Sequence, residues 1–212
     1  LNIGIELART ADDRDAAAVR LQKEVDRLTS LVGSLLEVTR VEGDPTTRRS
    51  DEVKVGHMLR EVAQSCSLEA EARQCRLVVE DRSQRTLKGD PELLRRAIEN
   101  VVRNAIRYAP SATDIELRTD DGPSGLVVSV RDAGAGVPDE LLTKLVQPFF
   151  RAEDARDYAH NGGVGLGLSI AHRAVQLHHG TLVAENAHPG LRVKLMFPEK
   201  PNDYDGPLRD VS

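Results

Sequence analysis

Between residues 16 and 41 the chain has no proline and one glycine, Gly33, and its apolar residues return at intervals of three and four. Leu21, Val25, Leu28, Val32, Leu35 and Thr39 make a heptad seam, which Leu31, Leu36 and Val38 widen into a second row. A helix of that length runs about 40 Å and cannot hide such a stripe alone. A long helix lying on its own domain would cover it. A helical hairpin that dimerises into a four-helix bundle accounts better for its width. Apolar residues also open the chain (Leu1, Ile3, Ile5, Leu7), and the Asp-rich stretch 11–15 reads as a turn. Gly43, Asp44 and Pro45 end the helix and begin a polar linker, 44–51.

Beyond the linker the pattern changes to short alternating runs. A strand at Val53 and Val55 leads to a helix over 56–72, then to strands at 76–80 and 86–88. A helix is predicted over 91–108, with Asp90 as its N-cap and Pro91 at its first position. Strands follow at 114–119 and 126–131, with Asp121, Gly122 and Pro123 as the turn between them. A further helix starts after Pro138, another spans 165–178, and 181–186 with 192–197 reads as a closing hairpin. Antiparallel hairpins with helices between them predict an α+β fold, a two-layer α/β sandwich over 52–199, not a doubly wound parallel sheet. The stretch 200–212 is polar and is expected to be loose.

Composition narrows the classes. Of 212 residues, 40% are apolar and 30% charged, the balance of a globular chain. No apolar run approaches the roughly 18 residues that span a bilayer, and no cleavable signal is evident, so any membrane tether is expected upstream of Leu1. A net charge of −5 argues weakly against nucleic acid as a partner. Cys66 and Cys75 are the two cysteines, without metal-ligand spacing around them, and read as thiols in a reducing compartment.

Three stretches carry candidate chemistry. On the helix 91–108, Asn100, Asn104 and Arg107 fall within roughly 60° of one another, while Leu94, Ile98, Val102 and Ala105 form another face. Asparagine is a poor helix former, so two at i and i+4 need a reason. An amide oxygen is a hard ligand suited to Mg²⁺, and a solvated polar face is an equal alternative for this run alone. The second stretch, DAGAG, fixes Asp132 at a strand end, where its carboxylate could accept from an adenine amine, with Gly134 and Gly136 beyond it. Asp and Gly together also mark ordinary turns. The third, GGVGLGL over 162–168, runs into an apolar helix and would present backbone N–H groups to phosphate, without the Lys and Ser/Thr of a P-loop. Between the last two lies PFFRAEDARDYAHN, 148–161, long and polar. It reads as a lid over a nucleotide, or as a surface excursion.

The order of these stretches resembles the N, first glycine, phenylalanine and second glycine boxes of bacterial histidine kinase ATP-binding domains, over about residues 51–198. That resemblance implies the Bergerat fold, and ATP with Mg²⁺ as ligands. It implies Asn100 as the magnesium-binding residue, Asn104 and Arg107 near the phosphates, and Tyr108 against the adenine. It further implies Asp132, Gly134 and Gly136 around the base, and Gly163, Val164, Gly165, Leu166, Gly167 and Leu168 under the phosphates. Arg156 in the lid is the implied contact to the terminal phosphate. PFFRAEDARD followed by GGVGLGLSIA is especially similar to Cpx-type envelope-stress sensor kinases.

Related hydrolytic ATPases hold a glutamate where this chain has Asn100, with Glu99 one residue earlier and turned 100° away. An amide cannot act as a general base, so transfer to a protein is favoured over hydrolysis. The family's acceptor box, HExRxP, is not in the chain. Its six histidines (His57, His160, His172, His178, His179 and His188) all lie in the ATP-binding part. The expectation is therefore a chain cut after the acceptor, with 1–43 as a partial dimerisation hairpin that cannot phosphorylate itself. A homodimer through that hairpin, a response regulator of the OmpR type, and a cytoplasmic position in an inner-membrane-anchored protein are also implied. A Bergerat-fold serine kinase or ATPase, and a pseudokinase scaffold, are the alternatives.

Overall fold

The computed structural model describes residues 50–123, 125–152 and 165–199. The heptad helix, the linker up to 49, Arg156, Gly163, Val164 and the tail 200–212 lie outside the described residues. Twelve elements are present among those described: β1 (Asp51–Lys54), α1 (Val55–Ser65), α2 (Ser67–Ala72), β2 (Arg76–Asp81), β3 (Thr86–Gly89), α3 (Pro91–Tyr108), β4 (Asp114–Gly122), β5 (Gly125–Arg131), a 3-10 helix (Asp139–Lys144), α4 (Gly167–Leu177), β6 (Thr181–Asn186) and β7 (Leu191–Pro198).

Five strands form one sheet in the order β2-β4-β5-β7-β6, and β1 with β3 makes a separate antiparallel pair. Alternation along β4, β5 and β7 sends Ile115, Leu117, Val128, Val130, Val193 and Leu195 to one face, all at most 3% exposed. Leu59, Leu94, Ile98, Val102, Ala171 and Val175 of the helices meet them there, each at most 1% exposed. The opposite face is open and charged. Across it Arg118 pairs with Glu116 at 2.9 Å and Glu80 at 3.3 Å, and Lys194 pairs with Glu185 at 2.8 Å. One covered face and one salted face make the two-layer sandwich the alternation predicts. Among the described residues no helix is long and apolar enough to cross a membrane, and Cys66 and Cys75 are free and buried.

The structure corrects five local expectations. Val55 begins α1 rather than continuing the strand, which places it in the core at 2% exposed. The helix expected over 56–72 breaks at Cys66, whose φ and ψ are −94° and 0°. On either side Ser65 Oγ donates to Val62 O and Ser67 Oγ to Gln64 O, the backbone competition that weakens helices at serine. The segment after Pro138 is a 3-10 helix of six residues. Finally, β2 pairs with β4 in parallel, Arg76 facing Asp114 through Asp81 facing Thr119. The hairpin reading fails there because β3 leaves to pair with β1, so α3 carries the chain back to a parallel neighbour. In addition, β4 runs through Gly122 to pair with Gly125, past the expected start of the turn.

The helices that carry the candidate site are pinned at their far ends. Asp90 caps α3, accepting from Glu92 N–H at 2.9 Å and Leu93 N–H at 3.1 Å. Its own N–H donates to His178 Nε2 at 2.9 Å, just after the end of α4, and His178 Nδ1 donates to Ala174 O at 2.7 Å. These partners set the Nδ1-protonated tautomer. The ring lies so close to the chain that a Cβ on Gly89 would stand 2.3 Å from His178 Cδ2. Gly89→Ala must push the imidazole off Asp90, and is expected to lower stability by about 1–3 kcal/mol in a denaturant titration. An unchanged midpoint would show that the pin carries no load.

Candidate functional site

Sequence-predicted residues from three separated segments converge at the other end of α3. Asn100 and Asn104 are one turn apart on this helix, and both are half-buried, as are Arg107 and Tyr108. Among the described residues, no hydrogen bond or ion pair ties Asn100, Asn104 or Arg107 to the fold. Gly167, the first residue of α4, packs directly on this face: a Cβ there would lie 3.3 Å from Asn100 Oδ1. No side chain caps α4, so the N–H groups of its first turn and the positive end of its dipole stand beside Asn100. Leu166 and Leu168, at 4% and 8% exposed, point the other way and anchor the start of the helix. The phenylalanine segment joins here, with Phe149 N–H donating to Gly165 O at 2.9 Å.

Tyr108 closes α3, eight residues or about 12 Å beyond Asn100 along the axis. There the second segment arrives. A Cβ on Gly134 would stand 2.7 Å from Tyr108 O, so the loop after β5 crosses the end of the helix at backbone contact. Asp132 opens that loop at 4% exposed. Two backbone N–H groups hold its Oδ1, Gly134 N at 2.7 Å and Leu191 N at 3.2 Å. Burial pushes the Asp132 carboxyl above its usual range, and those backbone bonds draw it partly back.

Two features of this end were not legible as site chemistry. The tip of the β6–β7 hairpin lies against the loop: Asp132 N–H donates to Leu191 O at 3.0 Å, and Gly190, with φ 93°, has no room for a Cβ, which would stand 1.8 Å from Asp132 O. Asn186, the last residue of β6, binds Val137 through both groups of its amide. The one available signal was a glycine following a proline in a hairpin turn, and it does not reveal a partner about 60 residues away.

A cavity of about 670 Å³ lies elsewhere, beside the start of α3, lined among others by Arg85, Lys88, Leu93, His178 and Phe197. It contains none of the candidate residues. The candidate residues instead gather where α3, α4 and the loop after β5 converge.

A two-layer sandwich with an amide-bearing helix, an uncapped glycine-led helix and a buried carboxylate defines a nucleotide-binding ATPase class. The chain belongs to the histidine kinase-, DNA gyrase B- and HSP90-like ATPase family, whose model matches residues 89–201. Its fold is the Bergerat fold. It is 32% identical over 200 residues to the sensor histidine kinase CpxA of Escherichia coli strain K12, covering 93% of this chain and 43% of CpxA. The chain thus spans less than half the length of that relative. The nucleotide-free catalytic domain of the histidine kinase ThkA superposes with a TM-score of 0.64 at 24% identity, covering 72% of this chain and 97% of that domain. ThkA in complex with the response regulator protein TrrA gives a TM-score of 0.68 at 22% identity, covering 84% of this chain and 49% of ThkA. These two likenesses show the fold.

Asp132→Asn keeps an amide oxygen for the two N–H groups and removes the buried charge. Because the folded-state pKa is raised, the folded protein binds this proton more tightly than the unfolded one. The group's contribution to stability is therefore full in acid and is lost as pH rises through the folded value. At pH 7 the variant is expected to unfold at or above the wild-type temperature, with that margin shrinking towards about pH 4. Thermal unfolding at both pH values checks the sign, and a variant less stable at neutral pH than in acid, relative to wild type, contradicts it.

Proposed function

We propose that this chain is the ATP-binding and phosphoryl-donating part of a two-component sensor histidine kinase. The observation that carries the reading is the pairing of two places on α3, its middle and its C-terminal end. A buried, backbone-held Asp132 stands beside Tyr108, and Asn100 faces the uncapped start of α4. An adenine amine donates to the carboxylate at the C-terminal end while the phosphates reach the N–H groups beside the middle, about 12 Å away. Tyr108 and Gly134 line the base, and Asn104 and Arg107 approach the phosphates. Gly165, Leu166, Gly167 and Leu168 belong to the phosphate site, and the family resemblance assigns Gly163 and Val164 to the same role and Arg156 to the terminal phosphate.

A hard cation fits this site, because the Asn100 amide oxygen is not tied to the described fold and sits where the phosphates would pass. Asn100 would hold Mg²⁺, which neutralises the triphosphate and keeps most of its own waters. The residues of this chain then position the γ-phosphoryl group and stabilise its charge. The bond from phosphorus to the β-bridging oxygen breaks, ADP leaves, and a bond forms to a ring nitrogen of an acceptor histidine. Glu99 takes no part. Its carboxylate pairs with Arg103 at 2.9 Å on the helix surface, turned about 100° from Asn100.

The same reading assigns 1–43 to a dimerisation hairpin, 44–51 to a linker, 52–199 to the ATP-binding domain and 200–212 to a tail. The partner is a response regulator, of the OmpR type, which takes the phosphate onto an aspartate. ThkA's structure with TrrA is a precedent in a protein of this fold. ATP as donor puts the domain on the cytoplasmic side of an anchored protein.

Labelling with γ-tagged ATP and Mg²⁺ tests the reading, on this chain and on a form carrying a histidine box ahead of Leu1. Acid-labile, base-stable label is expected only on the longer form. Asn100→Ala should abolish it, while Glu99→Gln should change its rate by no more than about twofold, the scale of an exposed ion pair. Steady release of free phosphate without protein label would instead indicate a hydrolase.

A further inference from the structure

Asn186 has no polar contact to spare. Its Oδ1 accepts from Val137 N–H at 3.0 Å, and its Nδ2 donates to Val137 O at 2.7 Å and to Asp139 Oδ1 at 2.7 Å. An amide that meets both the N–H and the C=O of one residue reproduces what a neighbouring strand would supply. The opposite orientation of the amide would set N–H against N–H and oxygen against oxygen, so the network fixes how it points.

The position of this contact matters more than its strength. In the β6–β7 hairpin Asn186 is paired directly with Leu191. Leu191 O accepts from Asp132 N–H, and Leu191 N–H donates to the Asp132 carboxylate. The loop 132–137 is thus gripped at its first residue by Leu191 and at its last by Asn186, from two residues that face each other. Ala187 N–H donates to Gly190 O at 2.8 Å and closes the hairpin tip, so the two grips keep a fixed spacing.

Gly136 fits the same account. Its φ is 72°, and a Cβ there would stand 2.6 Å from Asn186 Oδ1. The second glycine of the DAGAG run clears a path for a side chain of the protein itself.

We infer that Asn186 is a positioning residue for base recognition: by holding Val137 it fixes the loop that aims the Asp132 carboxylate. This rests on the reading above, in which Asp132 accepts from the adenine amine. Asn186 touches no nucleotide, and its effect should appear in the choice of base rather than in phosphate binding.

The test compares ATP with inosine triphosphate, which carries a carbonyl in place of the adenine amine, by equilibrium binding to the whole chain. Wild type should prefer ATP. In Asn186→Ala that preference should fall by about tenfold, the scale of one misaligned polar contact, with affinity for inosine triphosphate little changed. Gly136→Ala, which drives a methyl group into the Asn186 amide, should give the same loss by an independent route, and it decides the matter if Asn186→Ala does not fold. Asp139→Ala removes the third bond of Asn186 but leaves the hold on Val137, and should keep the wild-type preference. Equal loss of both nucleotides in folded Asn186→Ala and Gly136→Ala, or a preference unchanged in both, overturns the inference. A wild type without preference for ATP overturns the base-reading role of Asp132 itself, a separate failure.

Discussion

A carboxylate at 4% exposure stays where it is only if the surrounding backbone is built to receive it. Asp132 meets that condition through N–H groups of its own loop and of a hairpin tip some 60 residues further along the chain. Several features of the fold around it follow from this demand. The loop after β5 must lie at backbone contact with the end of α3, which excludes a side chain at Gly134. The hairpin must come within reach of Asp132, which excludes one at Gly190. The sheet order places β7 next to β5, so the residue that starts β7 stands beside Asp132, the residue that follows β5. The site is therefore an outcome of sheet topology as much as of its motifs.

The middle of α3 works by the opposite logic. Asn100 is half-buried and is not tied to the described fold, and the first turn of α4 has no cap. The C-terminal end of the helix meets a carboxylate held through one oxygen, and its middle presents an amide with uncommitted N–H groups nearby. A ligand with an apolar, hydrogen-bonding head and a polyanionic tail matches that asymmetry, and Arg107 adds positive charge on the same helix.

Much of this was legible because the signals were local. The cap at Asp90, the proline after it and the periodicity through Tyr108 define α3 within its own span, and the two asparagines fall on one face by geometry alone. The alternation in β4, β5 and β7 likewise predicts a sheet with one covered face. What could not be read depended on distant partners. Nothing near Asn186 announces Val137, and the parallel pairing of β2 with β4 depends on where β3 goes. The break at Cys66 lies between these cases: the serines on either side were visible, but their bonds to the helix carbonyls are a choice made by packing.

His178 joins α3 and α4 at the end remote from the candidate site residues. Two rods fastened at one end behave as a lever. Asn100 lies about 15 Å along α3 from that fastening, so a tilt of a few degrees at the imidazole becomes a displacement of about an ångström between Asn100 and the start of α4. The width of the gap where a phosphate chain would pass is thus set in part by a contact at the far end of both helices, while Asp132 is held separately by its own loop and the hairpin tip.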